Sequence, residues 1–494
     1  MFIDNDCEKK EFKFDINIEF KTRTELTPRI IEVSEAFGLG VSEEKTFTIY
    51  KDFKIGFSKG DIVFITGDSG GGKSLLLNNI RERIDTNTVN KIKLSLIKPD
   101  PDEILIESIG ETTEKAVNYL SMMGLNDAFI FLRKFKELSD GQKYRYRLAK
   151  LMSKQPEFVF IDEFCANLDR TTAKVIAYNL QRVCRKNNMV LICATTHRDI
   201  IDDLNPSVIV DKKFMDEVEV TYKQYVPKQI SFYDDVVVKV GCMIDYKKLS
   251  KYHYKNTKSN FPYSKVVVAK HGTDIVGVVV FSPPFLQTKG RTIKFNKQYS
   301  HMTKPVVADI NKLFIRGSRY VISPKYRGCG LGQKLVKESM KFVPEKKYIE
   351  VITKMGHYNP IFEHAGMEKI EIGAETDAPT IKLFNWLISL DIKKEEINNS
   401  NYLSSFIDDI NEDNKEILVK LFGKVLHHPK IGLSSKDGRR AEVVKQEERY
   451  KKESFDNVRT EILSYLPKLY TSDNIYYILQ NPFYKIYKSL LDYS

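Results

Sequence analysis

The chain has 494 residues, 42% of them hydrophobic and 29% charged, with a formal net charge of +12. That length holds two or three domains with cores of their own, and the lack of any apolar run of about 18 residues excludes a helical membrane span. The N-terminus MFIDNDCEKKEFKF lacks the basic-then-apolar order of a signal peptide. The six cysteines (Cys7, Cys165, Cys184, Cys193, Cys242 and Cys329) form no CxxC pair, so neither a zinc site nor a disulfide framework is indicated. A cytoplasmic location is expected.

Residues 1–212 alternate strand-like runs (DIVFITG, EFVFID, NMVLICATT) with helical stretches, an α/β pattern. GDSGGGKS, from Gly67 to Ser74, follows an apolar run and opens the helical LLLNNIRERI. In this strand–loop–helix order the backbone amides around Gly67, Gly70 and Gly72 and the helix N-terminus cradle phosphates. Lys73 reaches the terminal ones, and the Ser74 hydroxyl ligates Mg²⁺. The run FVFIDE ends in Asp162, suited to the same metal, and Glu163, suited to polarising an attacking water. Between the two lies LSDGQ, with Ser139 and Gly141 opening the helix KYRYRLAKLM. After them come ANLD, ending at Asp169, and TTH, ending at His197.

In this order the elements resemble an ABC-type ATPase: phosphate loop, LSGGQ-like signature, carboxylate pair, D-loop and switch histidine. Phe37, in EVSEAFG, lies where that family places its adenine-stacking aromatic. The resemblance implies ATP and Mg²⁺ as cofactors and a head-to-tail homodimer in which one subunit's signature closes over the other's ATP. Two departures stand out. No glutamine occurs between Ser74 and Leu138, so the family's Q-loop residue is missing and Glu107 is the nearest polar stand-in. The interval itself is only 63 residues. Transport is disfavoured, and slow, switch-like hydrolysis is expected.

Residues 213–242 read as a connector. From 243 to 383 a second α/β pattern begins with a hairpin, KVVVAKHGTDIVGVVVF, turning at Gly272-Thr273. RYVIS, the loop RGCGLG, the helix QKLVKESMKFV, the strand YIEVIT and then NPIFEHAGM follow. These resemble a GNAT acyltransferase. The resemblance implies that the loop formed by Arg327, Gly328, Cys329, Gly330, Leu331 and Gly332 holds the pyrophosphate of acetyl-CoA or another acyl-CoA. The backbone amides from Cys329 onward would make the contact at a helix N-terminus. Many family members protonate the leaving thiolate with a tyrosine four residues before the last motif's glycine. That position is Phe362 here. Tyr358 and His357 are the nearest chemical candidates, with packing and plain surface exposure as the competing readings. Cys329 reads as a small filler and Asp309 as a partner for a lysine.

The window 251–325 holds eleven lysines and three arginines against Asp274 and Asp309, interleaved with aromatics, which points to a polyanionic partner. Residues 384–494 read as mainly helical and of unknown role. The fold class expected is therefore α/β: an ABC-type P-loop ATPase domain, a GNAT-like α/β domain and a helical C-terminal region. The combined motifs resemble ABC–GNAT fusions of archaea, bacteria and phages. The expected function is ATP-regulated acyl transfer to a nucleic-acid base, in DNA or tRNA. Two alternatives stay open: a toxin or defence acetyltransferase acting on protein or aminoacyl-tRNA amines, and a non-catalytic ATP-dependent nucleic-acid clamp.

Overall fold

A computed structural model of the chain describes residues 10–23, 27–38, 44–85, 87, 89–213, 215–253, 261–372, 378–392, 397, 400–425, 449–450, 453–470 and 475–492. The chain opens with a long antiparallel pair, β1 (Phe12–Arg23) and β2 (Glu44–Phe57), joined through helix α1 (Pro28–Ala36). The first main sheet is built from β3 (Ile62–Gly67), β4 (Lys91–Lys93), β5 (Phe158–Ile161), β6 (Val190–Ala194), β7 (Val208–Lys212) and β8 (Val218–Tyr222). Its strand order is β4-β5-β6-β3-β7-β8, parallel except for β8. Every residue of β3, β5 and β6 is buried. That is why these strands read as unbroken apolar runs rather than alternating ones. Helices α2 (Lys73–Arg83), α3 (Asp140–Ser153) and α4 (Arg170–Lys186) carry the functional loops of this unit.

The second sheet has seven strands, β9 (Val236–Gly241), β10 (Lys265–His271), β11 (Asp274–Ser282), β12 (Phe314–Ile322), β13 (Tyr348–Thr353), β14 (Glu368–Glu371) and β15 (Ile475–Gln480), in the order β14-β15-β13-β12-β11-β10-β9. All neighbours are antiparallel except β12 and β13. Helix α5 (Leu331–Ser339) lies against it, burying Leu331, Leu335, Val336 and Ser339.

Two expected boundaries are corrected. The connector 213–242 contributes a strand to each sheet, β8 to the first and β9 to the second. Its remainder buries Ile230 and Phe232 in the second core. The described residues of 384–494 are mainly helical, as expected: helices Ser400–Asp409, Glu412–Gly423 and Phe455–Tyr470 pack with Ala378–Ser389 around Leu387, Leu403, Ile407, Leu418, Phe422 and Ile462. The chain then returns as β15 between β13 and β14. The aromatic, β-branched run IYYIL suits a buried strand. The Tyr476 hydroxyl donates 2.8 Å to Glu350 of β13, which also pairs with Arg291 at 2.6 Å, all three side chains being buried.

Helix α4 is the hinge of the arrangement in packing terms. Eleven of its seventeen residues are buried. Ala173, Ile176, Ala177 and Leu180 belong to the first unit's core, whereas Val175 and Tyr178 belong to the second's. The buried surface of this amphipathic helix is thus shared between two domains. No helix among the described residues is long and apolar enough to cross a membrane.

Candidate functional site

The first phosphate loop leaves the buried C-terminal end of β3, the central strand, and enters α2 through Gly72, whose left-handed φ of 92° places it at the N-cap with no side-chain cap. The first turn of α2 therefore keeps its N–H groups for an anion. Gly67 has φ 132°, and a Cβ there would lie 2.0 Å from the Lys212 carbonyl oxygen. A Cβ on Gly72 would lie 2.5 Å from Ile49 Cγ2. Lys73 folds back to donate 3.0 Å to the Gly67 carbonyl. Burial lowers its pKa, against the nearby carboxylates of Asp68 and Asp162. Those carbonyl contacts are what phosphate oxygens would replace. Ser74 is exposed at the same loop.

Asp162 follows the end of β5, and Glu163 beside it is exposed with φ 50°. The Glu163 N–H donates 3.1 Å to the Asp162 carboxylate. Cys165 is also left-handed, φ 58°, and its N–H is held by the Tyr144 hydroxyl at 3.0 Å. Two non-glycine residues in this region of φ mark a strained turn held by its surroundings. No group of three His, Cys, Asp or Glu able to hold a metal occurs among the described residues. Ser74 and Asp162 fit a Mg²⁺ that takes its remaining oxygens from phosphate and water.

Ser139 caps α3 in a capping box with Gln142, its oxygen accepting at 3.4 Å and its N–H donating at 3.0 Å. A Cβ on Gly141 would stand 3.4 Å from Leu168. Asp169 caps α4 through Thr172 and meets Lys325 of the second unit at 3.5 Å. Burial would raise the Asp169 pKa, but the Thr172 hydrogen bonds and the Lys325 ammonium bring it below the ordinary value. His197 is half-buried, its N–H donating 3.2 Å to the Thr195 hydroxyl. Phe37 caps the end of α1 and is 76% exposed. An aromatic that touches the phosphate loop is Tyr50, whose hydroxyl donates 3.3 Å to the Gly72 carbonyl.

The second loop repeats the local geometry. Gly330, φ 88°, is the N-cap of α5, again with no side-chain cap. Its surroundings differ. Arg327 is corrected from a phosphate ligand to an interdomain tie: its guanidinium donates to Ile322 O at 2.7 Å, Asn126 O at 2.9 Å, Asn126 Oδ1 at 3.1 Å and Tyr252 O at 3.4 Å. Burial lowers its pKa, against the nearby Asp127 carboxylate. Gly328 is needed because a Cβ would lie 2.6 Å from Asn179 Nδ2 on α4. Asn179 itself donates 2.9 Å to Met122 O. Cys329 is buried, its thiol bonded to Tyr326 O at 3.1 Å and pushed by burial up to about 12, so it is a filler. Leu331 is a core residue, and a Cβ on Gly332 would run into Ile361 Cδ1 at 2.4 Å.

Strands β12 and β13 pair only from Phe314–Tyr348 to Arg316–Glu350, after which β12 runs on to Ile322 paired with β11 alone. They thus splay on the side where the loop lies. Phe362 is 7% exposed and packs its ring 5.0 Å from Tyr320 and 5.2 Å from Tyr477. Tyr358 is 38% exposed. The backbone of His357 ends a short 3-10 turn, and its side chain lies outside the described residues. Asp309 is exposed on the helix Lys304–Leu313.

The basic window does not form one solvated patch, a further correction. Arg291 is buried on Glu350, Lys325 meets Asp169, Lys294 pairs with Glu368, and Lys265 donates 2.6 Å to Phe342 O. Arg316 and Arg319 lie over the rings of Phe285 and Phe261 at 3.9 and 4.9 Å. Tyr299 is buried, whereas Tyr263 and Phe285 are about half exposed. Tyr254, Lys255 and Lys258 lie outside the described residues. A separate cavity of about 350 Å³ is lined by Lys347, Gln480, Tyr484, Lys485, Lys488 and Ser489, all beyond that window.

Sequence reading missed Asn126, Asn179, the pairing of Lys325 with Asp169, and Tyr233, which stands 3.8 Å from where a Gly330 Cβ would be. Only Asn179 carried a signal, a polar residue directly after the apolar run VIAY.

Comparison with known proteins adds the following. The ABC transporter family model matches residues 50–166, and the acetyltransferase (GNAT) family model matches residues 241–359. The alpha-hemolysin translocation ATP-binding protein of Escherichia coli is 27% identical over 222 residues, 37% of this chain and 30% of that protein. An energy-coupling factor transporter ATP-binding protein of Mycoplasma genitalium is 25% identical over 279 residues, 45% of this chain and 88% of that protein. A dimeric bacterial ABC transporter cassette of known structure is 18% identical, with a TM-score of 0.31 over 37% of this chain and 94% of its own.

Proposed function

Because the chain joins an ABC-type ATPase domain to a GNAT-type acetyltransferase domain, we propose that it is an ATP-regulated, acyl-CoA-dependent acyltransferase acting on an amine of a nucleic-acid base, in DNA or tRNA. The observation that carries this reading is the docking of the second loop on the ATPase unit. Lys325 meets Asp169 at the cap of α4, Arg327 holds the Asn126 carbonyl, and Gly328 abuts Asn179. A homodimer formed through the ATPase units would put Asp169 beside its interface. ATP binding and hydrolysis by Lys73, Ser74, Asp162, Glu163 and His197, with Ser139 and Gly141 of the second copy, would then bear on the loop that receives acyl-CoA.

Exposed Tyr263 and Phe285 offer faces for an extruded base. The lysines around the 350 Å³ cavity offer phosphate contacts. The test is nucleoside mass spectrometry on DNA and RNA from cells expressing the wild type, Lys73→Ala and Gly330→Glu. A new adduct in one pool, absent from Gly330→Glu and reduced in Lys73→Ala, is expected. Clean spectra in both pools, with soluble protein, would sink the nucleobase as acceptor. The buried, hydroxyl-free Phe362 favours one second reading, a clamp without chemistry. It predicts ATP-dependent nucleic-acid binding with no release of coenzyme A.

A further inference from the structure

If the acyltransfer reading holds, the reaction needs a proton for the departing thiolate, and Phe362 has none to give. We propose that Tyr320 supplies it. Strand β12 carries a bulge that skips Ser318: Val280 pairs with Arg319 and Phe281 with Gly317. The extra residue brings Tyr320 and Gly317 to the same face, and the Tyr320 hydroxyl folds back to 2.2 Å from where a Gly317 Cβ would be. Only glycine permits that. Gly317 directly follows the last residue of β12 paired with β13, so the hydroxyl stands at the mouth of the splay.

Three further facts fit. The Tyr320 ring lies 5.0 Å from that of Phe362, edge to face, so the hydroxyl serves the neighbourhood the missing one would have served. Among the described residues no hydrogen bond engages this hydroxyl. Burial holds its proton well above the ordinary phenol range, so it stays a donor at working pH. The same desolvation makes a thiolate released there a stronger base than in water.

In the step itself the acceptor nitrogen bonds to the thioester carbonyl carbon and the carbon–sulfur bond breaks. The sulfur takes the Tyr320 proton, and the proton that the acceptor nitrogen sheds as it becomes an amide reaches the tyrosine through solvent.

The test uses the full chain with acetyl-CoA as donor and hydroxylamine as a small surrogate amine, following free thiol above the uncatalysed rate. Tyr320→Phe keeps the ring and removes only the oxygen. Its kcat is expected to fall about 100-fold while KM for acetyl-CoA stays unchanged. Adding Phe362→Tyr to that variant puts a hydroxyl back about one ring away and is expected to restore much of the loss. A Tyr320→Phe rate within about twofold of wild type, a loss confined to KM, or no recovery in the double variant overturns the proton-donor role. No thiol release by the wild type overturns the acyltransfer reading itself, and this inference with it.

Discussion

The two glycine loops are alike over a few residues and unlike everywhere else. Both leave a strand, turn through a left-handed glycine with φ near 90°, and open a helix whose first N–H groups have no cap. The first carries its own cation, Lys73, within the cradle and has Asp162 close enough to act on it electrostatically. The second turns its cation away: Arg327 is bonded to protein carbonyls, one of them 201 residues distant in sequence. Local geometry leaves the first N–H groups of the helix uncapped in both cases. What surrounds the loop decides whether it stands alone or leans on another domain.

The sharpest test of this difference is Lys73→Ala. ATP hydrolysis should fall by about 10²–10³-fold, as for removal of a preorganised charge donor, while acyl-CoA affinity without ATP, by calorimetry, stays the same. A loss in both would break the contrast.

Alanine at the two caps comes next. Gly330→Ala incurs only the left-handed backbone cost of about 1–2 kcal/mol, because the nearest atom to the new Cβ is 3.8 Å away. Acyl-CoA binding should weaken about 5- to 30-fold. Gly72→Ala adds the contact with Ile49 at 2.5 Å and should weaken ATP binding more than that. Equal effects would mean that the two loops see similar surroundings after all.

Arg327→Ala leaves buried carbonyls without a donor, at about 1–3 kcal/mol. Denaturant unfolding should show the acyltransferase half loosened and its acyl-CoA affinity reduced, with ATP turnover nearly intact.

Lys325→Ala is the mildest. The pair with Asp169 is half exposed, so stability should change by no more than about 1 kcal/mol. Yet the effect of ATP on acyl-CoA affinity, measured in a Glu163→Gln background, should shrink. Asp169 has a folded pKa below the ordinary carboxylate value. Its contribution is therefore complete above the unfolded pKa and is lost only as pH falls through the lower folded one. The coupling should be flat between about pH 6 and 8.

Much of this molecule was legible because it is local. Gly67–Ser74 after an apolar run, Asp162 and Glu163 at a strand end, and Arg327–Gly332 before an amphipathic helix follow from glycine spacing and side-chain period. The buried strand Ile475–Gln480 was not legible. A short apolar run is ambiguous by periodicity, and it lies 122 residues beyond the end of β13, the strand beside which it pairs. The fourteen cations of the basic window could be counted but not placed, since Arg291 in a buried ion pair and a lysine in water look identical in sequence.

The sequence by itself therefore determined the two glycine loops, the candidate residues of an ATP site and the absence of a hydroxyl at Phe362. Only the tertiary structure decided where Arg327 points, that α4 serves two cores at once, and that Tyr320 lies over Gly317. The physical reason is range. Backbone conformation answers to neighbours a few residues away, whereas a side chain's charge state, burial and partner are set by atoms that the chain brings near only when it is folded.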